Sequence, residues 1–531
     1  MNNEDLKNFR LAIYLLKDSI RNYKEALKDK VRYKEYDFNE KIKVSGKVLI
    51  GLTKENEPDW RSLIQEGIKD KLPPLNNSSN RAVVFFLIDD RYFAIPFGYG
   101  KHLIKEESID REFGLKTALN IINADKLLSI DKANIGDLSI LTKTQASKKG
   151  SPDYFNIDIL KDLIRSITGE PNVVLPGEFG SVITGNEGIY IAPKTNIIKI
   201  PDILRKLKKE YHKLTYKKRF DWIDNIKTER DPLIIEKLRA ELINELKSRN
   251  TNIIHLAPPF IMDWEKFEGI TYTPKGGVFN EFDIKDFYSL KDNDLMDLDW
   301  DKLMRQKIFF KEPNEEIVGF NLWRFLNFET EYLGDRYVFT MSNWYRVDND
   351  YYTSIYEYCS KISESDTNFI DCDAGDDEGR YNVKLSNSNP DFILLDRNLV
   401  RSDISRSEIE ACDVFTKHNE FIHIKFRSSS STLSHLFAQG RISSNSLRRD
   451  RTYRKNLRTK VRSLGFSNNL IALDDKNFNP NDYTITFAVI EKKTRKFVDS
   501  LPFFSLVNFR LTAEELMVMG FKLRVKKILL K

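Results

Sequence analysis

The residues best suited to chemistry lie between Ile409 and Gly440, in IEACDVFTKHNEFIHIKFRSSSSTLSHLFAQG. Two apolar segments flank a polar turn, and a serine run and a helical pattern follow. His423 and Lys425 stand two residues apart, so a strand there puts both on one face. Which acid joins them depends on the hairpin register. A turn through Lys417, His418 and Asn419 sets Asp413 opposite His423. A turn one residue longer, reaching Glu420, brings Cys412 and Glu410 to that face instead, because a one-residue slip reverses every side chain. Asp391, in NPDFILLDRN ahead of its own apolar strand, offers a further metal-binding acid. Carboxylates beside an ammonium suit a hard divalent cation, Mg2+ or Mn2+, and the stabilisation of negative charge developing on a phosphate.

The order of elements around CDVFTKHNEFIHIKFRSSSS and TLSHLFAQG resembles the Mrr-like branch of the PD-(D/E)xK nucleases. There, an aspartate in one strand precedes a Gln-x-Lys or Glu-x-Lys strand, a basic residue, a polar loop and a helix bearing a glutamine. The resemblance implies a restriction-endonuclease-like domain in which Asp413 binds metal, Lys425 polarises the phosphate and Gln439 is the helix glutamine. Arg427 falls one residue late for the basic position. His423 departs from the pattern, since histidine is a poor magnesium ligand. The phospholipase D pattern also begins His-x-Lys, but it needs an aspartate where Ser430 stands, and no Gly-Ser-x-Asn follows.

Directly downstream, RISSNSLRRDRTYRKNLRTKVR carries nine Lys/Arg against one acid, Asp450. Such one-sided charge suits a phosphate backbone, where counterion release dominates nonspecific affinity. Arg427, Ser428, Gln439, Arg441, Arg448, Arg449, Arg451, Arg454, Lys455 and Arg458 are the expected nucleic-acid contacts. The competing reading is a solvated helix face. The serines either cap the helix or donate to phosphate.

Several domains must position these residues, because 531 residues exceed one ordinary core. The expected architecture is α+β or α/β: an N-terminal α+β domain over 1–200, a helical segment and middle α+β region over 201–380, and the restriction-endonuclease-like domain over 381–531. Apolar spacing predicts an amphipathic helix over 4–29, and AVVFFLIDDRYFAIPFGYG reads as a hairpin turning at Asp89 and Asp90. A largely helical stretch over 201–250 carries a second basic cluster, YKKRFDW. The acidic run SESDTNFIDCDAGDDEG reads as an exposed linker, and Thr512 with Glu515 forms a capping-box pattern.

The three cysteines are odd in number and far apart, which excludes a disulfide framework and fits a cytoplasmic location. The N-terminus lacks the blocks of a signal peptide, and no apolar run approaches the roughly 20 residues of a membrane helix. The net charge of +6 identifies no partner by itself.

Stretches such as DREFGLKTALNIINADKLLSIDKANI, WYRVDNDYY and LLDRNLVRSDISRSEIEACDVFTKHNEFIHIKF resemble an uncharacterised bacterial family of sporadically distributed proteins, over most of the chain. That distribution implies mobile or defence-associated genes. The resulting expectation is a DNA-binding protein acting as a metal-dependent nuclease against phage or foreign DNA. It would work alone, as a homo-oligomer or with a defence-system partner. The alternative is a noncatalytic DNA-binding sensor or interaction protein on a degenerate nuclease fold.

Overall fold

In the computed structural model, Asn80–Ile88 and Arg91–Gly98 pair as an antiparallel hairpin that turns at Asp89 and Asp90, with Asp89 in the left-handed region at φ 57°. The structure describes residues 6–29, 31–52, 60–69, 71–73, 80–134, 140–172, 178–290, 295–312, 317–404, 406–427 and 430–531. They divide into one unit of residues 1–133 and 142–223 and another of residues 134–141 and 224–531. Helices and sheets occur in both, a mixed α and β architecture. No helix among the described residues is long and apolar enough to cross a membrane. Cys359, Cys372 and Cys412 are buried and unbridged.

The first unit is built on a ten-stranded sheet. Its centre corrects the expected helix over 4–29: Leu11–Leu15 is a strand between Arg91–Gly98 and Ile189–Ile191. Residues Ile13 to Leu16 are all buried, so the segment has no polar face for an amphipathic helix to show to water. Covered on both faces and hydrogen-bonded on both edges, it gains more as an inner strand than helix propensity offers.

In the second unit, Pro232–Lys247 is a helix capped by Asp231, whose side chain accepts from the Leu233 N–H. The strand Ile226–Thr228 interrupts the helical stretch expected over 201–250, pairing with Asn343–Val347.

The C-terminal part of this unit contains a five-stranded mixed sheet. Its elements run α1 (Glu378–Ser388), β1 (Phe392–Leu394), β2 (Leu399–Arg401), β3 (Glu408–Glu410), β4 (Val414–Thr416), β5 (Glu420–Phe426), α2 (Ser430–Arg449), α3 (Arg451–Ser463), β6 (Thr484–Glu491), α4 (Phe503–Val518) and β7 (Lys522–Leu529). The strand order is β1-β4-β5-β6-β7, while β2 and β3 form a separate two-stranded ribbon. β1, β4 and β5 are antiparallel neighbours; β5, β6 and β7 are parallel. Parallel pairs need crossovers, which α2 with α3 and then α4 supply.

The sheet is covered on both sides. On one, Tyr381 and Leu385 of α1 meet Val414, Ile422, Ile424, Ala488 and Ile490. On the other, Phe437 of α2 and Phe509 of α4 meet Phe487 of β6. Thr512 lies buried inside α4, which begins at Phe503, so the capping-box pattern is not used as a helix start.

The acidic run over 363–379 is not the expected linker. Glu364 bridges to Val525 and Cys372 to Leu530, so the segment follows β7. Phe369, Ile370 and Cys372 hold it there by joining the sheet's apolar layer. Ser365 donates to the buried Glu420 carboxylate at 2.6 Å.

Candidate functional site

The β4–β5 hairpin takes the shorter of the two expected turns. Val414 opposes Ile422 and Phe415 opposes Phe421, with Asn419 in the left-handed conformation at φ 62°, one that asparagine tolerates. Asp413 is therefore in register with His423. It stands just before β4, where its carbonyl accepts from the Leu395 and Asp396 N–H groups, both at 2.9 Å. Its carboxylate turns to the sheet end: Oδ2 accepts from the Ile424 N–H at 2.7 Å and Oδ1 from Asn382 Nδ2 of α1 at 3.2 Å.

Two further acids meet Asp413 there. Asp396 follows β1, and the chain reverses at Arg397, φ 57°, into the β2–β3 ribbon, which returns with Glu410 at its end. The Arg397 N–H donates to Glu410, fixing the ribbon's base. One oxygen each from Asp396, Glu410 and Asp413 lie within 4.8 Å of one another. Oxygens facing each other across Mg2+ or Ca2+ stand roughly 4 to 5 Å apart, so the three fit around one such ion. The donors are all carboxylate oxygens, which suits a hard cation.

Lys425 closes the site. Its ammonium lies 2.6 Å from Glu378 Oε1 in the first turn of α1. Gln439 of α2 reaches Glu410 Oε2 through Nε2 at 3.4 Å. α1 begins here because Asp377 caps it, its side chain accepting from the Arg380 N–H at 2.8 Å. Glu378 and Asn382 are four residues apart on one helical face and reach Lys425 and Asp413 respectively.

Burial and mutual repulsion govern the acids. Burial pushes the Asp413 carboxyl up to about 8; the Ile424 N–H opposes this, and the Glu410, Glu378 and Asp396 carboxylates add to it. Glu410 is also raised, first by burial, with the Arg397 N–H and the nearby Lys425 ammonium pulling the other way. A cluster of carboxylates this close retains a proton unless a cation shares the charge.

The geometry excludes several expected residues. His423 does not join the acids: its ring lies in the apolar layer against Phe487, with centroids 5.8 Å apart. It is 2% exposed, its Nε2 has no partner, and burial pushes it down to about 3. Asp391 sits at the wrong end of the sheet to be a metal ligand beside Asp413. β1 runs antiparallel to β4, so Asp391 meets Lys417, at 2.8 Å, and the exposed His418 near the turn. Asp396, five residues on and so about 15 Å along an extended chain, takes the place expected of it.

The nucleic-acid set divides in the same way. Arg427 donates to the Ser500 carbonyl at 3.2 Å and pairs with Glu491 at 3.4 Å, a contact inside the domain. Arg454 is fully buried: its guanidinium donates to the Leu447, Arg448 and Leu473 carbonyls and pairs with Asp475, so it ties α3 to the end of α2 and is not a surface contact. Arg441 pairs with Glu515 and Arg451 with Asp474, both exposed. Arg448, Arg449 and Lys455 are exposed, and Arg458 is half-buried. Ser428 lies outside the described residues.

Sequence reasoning missed Asp396, Glu378 and Asn382. Asp396 had a signal, since LLDRN ends an apolar strand with an acid before a turn. Glu378 and Asn382 were hidden by the acidic run, whose last residues start a helix: Asp377 stands as N-cap before a Tyr381 and Leu385 face.

The chain belongs to the family described as "Family of unknown function (DUF6119)", whose model matches residues 11–529. No curated protein and no solved structure matches it significantly.

Proposed function

We propose that residues 378–531 form a restriction-endonuclease-like domain that binds DNA and hydrolyses its backbone with Mg2+ or Mn2+, in defence against phage or foreign DNA. The observation that carries this reading is the convergence of Asp396, Glu410 and Asp413 with Lys425 at one end of a mixed sheet. A cation held by the three carboxylates would supply Lewis-acid charge at the scissile phosphate and acidify a water. Lys425 places an ammonium where a phosphoryl oxygen gains charge, and Glu378 holds that ammonium in place. His423, which stands where the Mrr-like pattern has an acid, does not remove the metal site on this reading. Asp396 and Glu410, from the two ends of the β2–β3 ribbon, take its part. The free basic residues of α2 and α3 hold the sugar-phosphate chain.

The test is incubation of the purified chain with Mg2+ or Mn2+ and plasmid DNA. Nicking or degradation is expected, and Lys425→Ala or Asp413→Asn reduces it by about a hundredfold or more while DNA affinity stays within a few fold. Intact DNA across metals, single and double strands and modified bases would sink the reading. A noncatalytic DNA-binding sensor is favoured by one observation, that the Lys425 ammonium is already engaged by Glu378. Salt-dependent DNA binding that chelators leave unchanged, without cleavage, would select it.

A further inference from the structure

The carboxylate cluster has a neighbour with an unused oxygen. Asn382 is 0% exposed, on the α1 face turned to the sheet. Its Nδ2 donates to Asp413 Oδ1, which puts the amide head against the cluster, yet its Oδ1 has no hydrogen-bond partner. Leaving a buried acceptor unmade is a cost to the fold, because the group has given up its water without a replacement. An apolar residue would fill this position beside Tyr381 and Leu385 without that loss. An amide retained there points to a ligand that uses its oxygen.

We propose that Asn382 supplies a fourth oxygen to a divalent cation held by Asp396, Glu410 and Asp413, an assignment that rests on the metal reading above. The two heads of a planar amide lie about 2.3 Å apart, so with Nδ2 held on Asp413 Oδ1 the amide oxygen stands beside the same carboxylate and can reach a cation that Asp413 binds without giving up that hydrogen bond. Three carboxylates and an amide make an all-oxygen set with no nitrogen or sulfur donor, which favours Mg2+, Mn2+ or Ca2+ over Zn2+. The softer groups nearest in sequence stay out of it: the cluster of ligand atoms holds Asp396, Glu410 and Asp413 without the Cys412 sulfur, and His423 lies against Phe487.

The experiment uses the full chain without DNA, so that it is independent of cleavage. Mn2+ affinity is measured by paramagnetic resonance, and the waters on bound Eu3+ are counted from luminescence decay in H2O and D2O. Wild type binds both ions, and Asp413→Asn loses them. Asn382→Ala binds Mn2+ about tenfold more weakly, within the range for perturbed metal sites, and gains one water on Eu3+. Asn382→Asp restores the wild-type water count. Should Asn382→Ala not fold, Asn382→Ser carries the same expectation. Wild-type affinity and water count in Asn382→Ala or Asn382→Ser overturn the assignment while leaving the three-carboxylate site standing. Absence of any Mn2+ or Eu3+ binding by wild type overturns both. Metal binding with the Asn382 effect, but with DNA left intact, supports the assignment and removes only the nuclease.

Discussion

Two basic tracts look alike in the sequence and differ in the fold. In the first unit, five basic residues of the tract over 200–220 are paired with acids. Arg205 pairs with Asp202, Lys206 with Glu178, Lys208 with Asp89 and Asp90, Lys213 with Glu210 and Arg219 with Asp125. In the second unit, Arg441, Arg451 and Arg454 are paired, but Arg448, Arg449, Lys455, Arg458, Lys460 and Arg462 have no ion pair among the described residues. Arg451, Lys455, Arg458 and Arg462 recur at helical spacing along one side of α3. Local ion pairs cancel a field within a Debye length, and unpaired charges on one helix face add up. On the DNA-binding proposal, the basic residues left unpaired, and not the total number, mark the surface to test.

That contrast is easiest to break with charge reversal. Replacing Arg448, Lys455, Arg458 and Arg462 by glutamate is expected to weaken DNA binding by about a hundredfold or more at moderate salt and to flatten its salt dependence, as read in a titration series. The same change at Lys206, Lys208, Lys213 and Arg219 is expected to leave affinity within about threefold. Equal losses from both sets would show that pairing does not decide.

Arg454 sharpens the comparison from within the free tract. Arg454→Ala removes a wholly buried guanidinium and takes the donor from three carbonyls, while the exposed Asp475 returns to water. A loss of about 1–3 kcal/mol is expected in chemical denaturation, against less than about 1 kcal/mol for Arg451→Ala, whose pair with Asp474 is exposed.

A smaller effect separates Asp413 from His423. The Asp413 carboxyl is pushed up to about 8 from an ordinary value of 3.8. Between those values the folded chain keeps a proton that the unfolded chain has released, so stability falls as pH rises through that window. Asp413→Asn is expected to flatten this limb and raise the melting temperature at pH 8 by about 2–4 °C. His423 has the opposite sign. Held neutral with its ring pushed down to about 3, it contributes stability that is lost as pH falls below about 6.5. His423→Leu softens the acid limb, and only in part, because the buried His255, pushed down to about 4, acts in the same direction.

Much of the scaffold was legible from local pattern. The hairpin at Asp89 and Asp90 follows from apolar alternation broken by polar residues that tolerate tight turns, whereas before Glu420 the pattern left two turn lengths open and the register in the fold selects the shorter. The segment over 4–29 was misread because the period of its apolar residues fits a helix, while a central strand between two others accepts any apolar run. At the site, Asp413, Lys425, Glu410 and Gln439 were named from sequence and are brought together. Asp391 and His423 were named and are not, one displaced along an antiparallel strand and the other buried against Phe487.

The sequence alone determined which residue types were at hand: an acid, a lysine two residues beyond a histidine, a helix glutamine and a dense basic tract, all within short-range order that hydrophobic period and turn chemistry dictate. Tertiary structure decided which of them meet. Asp396, Glu378 and Asn382 reach Asp413 and Lys425 from other elements, and partners of Arg454 lie as far along the chain as Asp475. Such contacts are settled by how sheets and helices bury their apolar faces, and no local spacing records that choice.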